Sequence, residues 1–205
     1  MLLTEVSMIV NGHWGRWFSC WFSDAFWILV TYRVSRSGFL FFGEAWKGLR
    51  VIFAPATFIL RPWIGRHEIH YEAEIGIGLK ILHPSLGCVI SRYAVIGENF
   101  LLVGGGGVGT RNNSQDGPFV IGNNVSLGMG ASIIGPVKIG NNVSIGAGAV
   151  VIHDVDDRKS VAGVPARIVG SMPQGDDDQE IFDFARNDTD PQPLYVNQSD
   201  SRKWR

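Results

Sequence analysis

An apolar residue returns every six positions through the middle of the chain: Ile121, Leu127, Ile133, Ile139, Ile145 and Val151. Four positions after each stands a small or β-branched residue: Val125, Ala131, Val137, Val143, Ala149 and Val155. A period of six fits neither a helix nor an ordinary alternating strand. It predicts short strands separated by tight corners, three to a coil. Each coil then takes 18 residues, and residue n lies over residue n+18. The hexapeptide IGNNVS is written twice at that distance, at 121–126 and 139–144. Ile121 should therefore stack on Ile139 and Asn123 on Asn141, with the asparagines at corners that need left-handed backbone angles. The architecture expected is mainly β, a parallel β-helix whose coils bury their cores only against one another.

The same period appears earlier in other phases. Ile69, Ile75 and Ile81 form one series; Ile90, Ile96, Leu102 and Val108 form a second. The nine-residue step from Ile81 to Ile90 marks a slip within HPSLG. The polar stretch 110–118, TRNNSQDGP, reads as a loop thrown out from a corner.

Residues 1–66 differ in kind. Six of the seven tryptophans lie there, and the segment carries seven Lys/Arg against three acids. SDAFWILVTYRVSRSG predicts a helix capped by Ser23 and stopped at Ser37-Gly38, with Phe22, Phe26, Val30 and Arg33 on one side. A second helix is expected from Glu44 to about Leu60, kinked at Pro55. Arginines interrupt every apolar run before it reaches the ~18 residues of a membrane span. Two roles stay open for this segment: a helical cap on the main domain, or a basic, Trp-rich surface in peripheral contact with a bilayer. Residues 171–205 carry eight acids against four bases and read as a flexible acidic tail. The expected division is 1–66, 67–170 and 171–205.

Net charge is −1, which gives no field for nucleic acid. Cys20 and Cys88 form no framework and suit a reducing, cytoplasmic compartment. The start MLLTEVSMIV lacks the basic n-region of a signal peptide. GGGG at 104–107 lacks the Lys-Ser/Thr of a phosphate loop. His67, His70, His83 and His153 lack zinc-site spacing, so no metal is expected.

IGAGAVV (145–151) and AGVPARIVG (162–170) resemble the closing coils of the hexapeptide-repeat acyltransferases, left-handed β-helix proteins that use acetyl-CoA. Residues 68–100 resemble the serine acetyltransferase branch and its relatives in polysaccharide gene clusters. The resemblance implies a homotrimer with acetyl-CoA held between neighbouring chains. It implies that His83 is the general base on an acceptor hydroxyl and that Glu68, fifteen residues earlier, orients it. Imidazole as a class titrates near ~6.5 and can take a hydroxyl proton and pass it to a departing thiolate. Gly130, Ala131, Ala147 and Gly148 would line the groove for the pantetheine arm, with His153 and Arg167 toward the CoA phosphates. His70 shares the first hexad and could line the same cleft.

The chain also departs from serine acetyltransferases. It is one residue longer between His83 and Gly87. Leu82 stands where they carry an Asp that holds the substrate amine, and Asp116-Gly117 replace an Arg-His pair. These departures lead to the expectation of a sugar or surface-polysaccharide hydroxyl as acceptor. O-acetylation of serine or another small amino acid is the alternative, and a non-catalytic β-helix scaffold is the third reading.

Overall fold

The computed structural model describes residues 24–52, 55, 67–110 and 119–171. Helix α1 (Asp24–Phe42) is followed by a second helical stretch at 45–52 and then by a prism of short strands. The first face of the prism stacks β1 (His67–Ile69), β4 (Cys88–Ile90), β7 (Gly107–Thr110), β10 (Ser132–Gly135) and β13 (Val150–Val151). The second stacks β2 (Glu74–Ile75), β5 (Ala94–Ile96), β8 (Phe119–Ile121) and β11 (Lys138–Ile139). The third stacks β3 (Lys80–Leu82), β6 (Leu101–Val103), β9 (Ser126–Leu127), β12 (Ser144–Ile145) and β14 (Lys159–Ala162). It closes with an antiparallel β15 (Arg167–Ser171). All the other pairings are parallel, as a β-helix requires.

The register makes the interruptions measurable. Ile69 pairs with Ile90, a step of 21. Val89 pairs with Gly107 at 18, Gly107 with Ser132 at 25, and Ser132 with Val150 at 18. The three extra residues of the first step enter between β3 and β4, at HPSLG. The seven extra residues of the third step enter after β7, at the expected loop. That loop lies outside the described residues apart from Thr110. Ile121 pairs with Ile139 as expected. Every apolar residue of the six-residue series from Ile121 to Val155 is buried.

Helix α1 closes the N-terminal end of the prism. Ile28, Leu29 and Tyr32 are buried against the first coil. The Tyr32 hydroxyl donates to the Ala73 carbonyl (2.9 Å). The Arg33 guanidinium donates to the carbonyls of Ile75 (2.8 Å) and Gly76 (2.6 Å). Arg36 donates to Glu72 O and Glu74 Oε1. A buried arginine is tolerable here because the last carbonyls of the open coil need donors.

Three details of the helix differ from expectation. The inward stripe is Ile28, Leu29, Tyr32 and Arg33; Phe26 and Val30 are half-buried, and Phe22 and the cap Ser23 lie outside the described residues. The helix runs through Ser37-Gly38 to Phe42. Gly38 is there because a Cβ would stand 2.5 Å from the Trp46 ring, and only hydrogen lets the indole lie against the helix. The turn comes at Gly43, whose φ of +55° an L side chain rarely adopts. The expected second helix is described over 45–52 and at Pro55, and its remainder to Leu60 lies outside the described residues. So do residues 1–23 and the expected tail 171–205, apart from Ser171, which ends β15.

Candidate functional site

The edge where the third face turns into the first holds most of the expected site residues. Five successive corners stack there: 83–87, 104–106, 128–131, 146–149 and 163–166. His83 opens the lowest, directly after β3. It is exposed and left-handed, with φ 51° and ψ 53°. A histidine in that region costs roughly 1–2 kcal/mol relative to an ordinary backbone, and such residues cluster at functional sites. The Pro84–Leu86 turn holds it: Leu86 N–H donates to His83 O (3.2 Å) and Gly87 N–H to Pro84 O (2.9 Å). Helix α1 packs against this turn from below.

The corner above His83 has to be glycine. A Cβ on Gly104 would fall onto the His83 carbonyl oxygen and 3.0 Å from Leu86 Cβ. Gly104 N–H donates to Leu82 O (2.7 Å) and Gly105 N–H to Gly87 O (2.7 Å), which locks the two corners together. Gly130 follows on the next coil and Gly148 on the one above, bonded through Gly130 N–H to Gly104 O (3.3 Å) and Gly148 N–H to Met129 O (2.8 Å). Both are exposed, and a Cβ at either would meet nothing within 4 Å. From His83 to Gly148 the edge rises three strand spacings, roughly 14 Å.

The structure therefore brings His83, Gly130, Ala147 and Gly148 onto one edge. Ala131 shares the corner but is fully buried, with its methyl inside the prism, so only its backbone can reach a groove. Arg167 begins β15 just past the top corner, exposed, with its guanidinium on the Ala166 carbonyl (3.1 Å). His153 is exposed but sits on a different edge, between the first and second faces. Glu68 is exposed on β1, opposite Val89. No hydrogen bond or ion pair joins it to His83 among the described residues.

His70 lies at the lowest corner between the first and second faces and not on the His83 edge. Its Nδ1 accepts from Glu72 N–H (3.2 Å), and its ring stacks on Tyr71. Burial holds its pKa below the ordinary imidazole value. His67 is likewise held low by burial, its Nδ1 3.8 Å from the buried Cys88 Sγ. Burial pushes the Cys88 thiol up to about 11, which removes it as a nucleophile. Glu72 is opposed by burial but held net low by Arg92, which bonds it, and by Lys47. Among the described residues no group of three or more His, Cys, Asp or Glu could hold a metal ion. The GGGG run, which lacks the residues of a phosphate loop, packs its first glycine against the His83 corner, a contact that sequence reasoning did not specify.

Residues 112–153 match the bacterial transferase hexapeptide (six repeats) family. The chain is 41% identical over 104 residues to serine acetyltransferase 1 (chloroplastic) of Arabidopsis thaliana, covering 50% of this chain and 33% of that one. It is 44% identical over 105 residues to serine acetyltransferase of Synechocystis sp., covering 50% and 41%. The chain thus spans well under half the length of the curated relatives it matches. Its fold superposes on serine acetyltransferase of Neisseria gonorrhoeae with TM-score 0.70, 26% identity and coverage of 87% and 68%. It superposes on serine acetyltransferase of Brucella abortus in complex with coenzyme A with TM-score 0.68, 25% identity and coverage of 85% and 68%. The parallel β-helix expected from the repeats, left-handed as the family resemblance implies, is the fold shared with these proteins. They also overturn the expectation of a saccharide acceptor, since the relatives are serine acetyltransferases. That expectation rested on departures such as Leu82, and the loss of a residue does not by itself build a site for a different substrate.

Proposed function

We propose that this hexapeptide-repeat β-helix, in the serine acetyltransferase branch of the acyltransferases, transfers an acetyl group from acetyl-CoA to the hydroxyl of serine or a close small amino acid. The observation that carries the reading is the single edge on which an exposed, left-handed His83 is followed by Gly130, Ala147 and Gly148. In this reading the His83 imidazole takes the acceptor hydroxyl proton as its oxygen attacks the thioester carbonyl. The C–S bond breaks, and the proton passes to the departing CoA thiolate, giving an O-acetyl ester and free thiol. No acyl-enzyme forms, consistent with a Cys88 thiol that stays protonated.

Glu68 has the role of turning toward His83 when substrate binds, fixing its tautomer and stabilising the imidazolium. The open glycine edge admits the pantetheine arm against backbone groups, and Arg167 stands where the CoA phosphates would leave it. His153 would reach CoA only from a neighbouring copy, which is where a homotrimer enters the proposal. Residues 67–170 form the acyltransferase domain on this reading.

The test is release of CoA thiol from acetyl-CoA with L-serine, for the full chain and for His83→Ala. Turnover should fall by about 10²–10⁴-fold in the variant, the usual worth of a general base. Equal turnover in the two proteins would remove His83 from the mechanism. Failure of the wild type to use serine or any small hydroxy amino acid would remove the acceptor assignment.

A further inference from the structure

Helix α1 presents the wrong face to water. Its arginines, Arg33 and Arg36, point into the β-helix and bond backbone carbonyls there. Its far end carries the apolar side chains Leu40 and Phe41, which are 69% and 82% exposed. The helical residues 45–52 add Val51 and Ile52, 71% and 73% exposed. A water-bathed cap would carry polar residues on its outer side. Here FLFF runs from Phe39 to Phe42 without a polar side chain. Phe41 packs edge-on against Phe42, and Phe42 stacks on Trp46, so the patch is continuous across both helical segments.

The border of the patch carries two bases and one acid. Arg50 is exposed and lies over the Tyr71 ring at 4.3 Å, and the exposed Lys47 pairs with Glu44 (2.6 Å). With the inward Arg33 and Arg36 set aside, residues 1–66 still carry five bases against three acids, and they hold six of the seven tryptophans. That charge selects the occupant. A second copy would bring the same positive charge against itself, whereas anionic headgroups would be drawn to it. Tryptophan favours the membrane–water boundary. No helix among the described residues is long and apolar enough to cross a membrane, so the contact is one of lying on the surface.

We propose that this face rests on an anionic lipid surface. Leu40, Phe41, Val51 and Ile52 enter the boundary between headgroups and acyl chains, and Lys47 and Arg50 meet the phosphates. The inference is independent of the acetyl-transfer reading.

The test is flotation of the full chain with phosphatidylcholine vesicles, with and without phosphatidylglycerol, for wild type and for Phe41→Ser/Ile52→Ser. The wild type should float with the phosphatidylglycerol vesicles and lose binding as salt rises. The double variant should bind more than about tenfold more weakly, with an unchanged melting temperature, because both side chains already face outward. Wild-type protein that stays unbound in both preparations overturns the proposal, as does a double variant that floats equally well. Light scattering that shows a larger assembly for wild type than for the double variant also overturns it, because the face is then an interface between copies.

Discussion

Two edges of the prism face the same steric demand and meet it differently. Each needs a left-handed residue at successive corners. The edge between the second and third faces uses Asn99, Asn124 and Asn142, with φ of 54–56°. Their side chains bond to each other up the edge, Asn99 Nδ2 to Asn124 Oδ1 (3.0 Å) and Asn124 Nδ2 to Asn142 Oδ1 (2.9 Å). A second ladder runs beside it, Asn123 N–H to Asn141 Oδ1 (2.9 Å) and Asn141 N–H to Asp157 Oδ1 (2.7 Å). The edge between the third and first faces uses His83, Gly105, Gly130 and Gly148, with no side-chain ladder. An edge sealed by amides satisfies itself and leaves nothing for a ligand. An edge stripped to glycine leaves its backbone open to approach, with one imidazole at its foot. Identical geometry thus serves stability on one edge and access on the other.

The sharpest way to break that contrast is Gly104→Ala. Its methyl must displace the His83 carbonyl, so the substitution should cost about 3 kcal/mol. It should also lower turnover about a hundredfold through misplacement of the base. The matched change on the sealed edge, Asn124→Gly, keeps the backbone angle and removes two amide bonds. It should cost about 1 kcal/mol in melting experiments and leave thiol release unchanged. If both variants lose turnover in proportion to their stability, the two edges do not differ in function.

The scaffold was legible because its period is enforced by a narrow interior. A residue that faced the prism with the wrong size would split the stack, so Ile121, Val125 and their successors announce themselves. The positions of the slip and of the loop were legible for the same reason, as departures from a ruler of 18. The acceptor was not legible. The reading of it rested on single side chains such as Leu82, and no period constrains them. The helix was half legible. Its existence followed from composition, but of the stripe that faces the prism, Ile28, Leu29, Tyr32 and Arg33, only Arg33 was placed by the sequence reading. Ala131 turns its methyl inward, as its place in the hexad predicts, so it can face a groove only through its backbone.

A smaller effect separates backbone access from bulk. Gly148 has φ +67°, and open space surrounds the point where a methyl would stand. Gly148→Ala should cost about 1 kcal/mol of backbone strain and raise KM for acetyl-CoA several-fold with kcat nearly intact. A change in kcat alone would place the arm elsewhere. Leu82→Asp tests the acceptor side of the same edge. Leu82 is half-buried next to His83, and a carboxylate there would meet the ammonium of an amino-acid acceptor. KM for serine should fall by about tenfold, the worth of a charge-assisted contact. An unchanged KM would mean that the ammonium binds away from position 82.

The smallest expected effect lies away from both edges. His67 and His70, on the first coil, are held below the ordinary imidazole value, chiefly by burial. For His70 the charges of Glu72 and Glu68 oppose that shift, and those of Arg92 and Arg50 reinforce it. The native protein therefore keeps both rings neutral while the unfolded chain takes up protons. A depressed folded pKa gives stability that is present above the unfolded value of ~6.5 and is lost as pH falls below it. Melting temperature should decline between about pH 7 and pH 5.5, and His70→Gln should flatten that slope. The slope should be the same in Asn124→Gly and Gly148→Ala, because neither edge contains these rings. A slope altered by Gly148→Ala would mean that the open edge and the first coil unfold as one unit, and that access at the glycine edge draws on the stability of the cap beneath it.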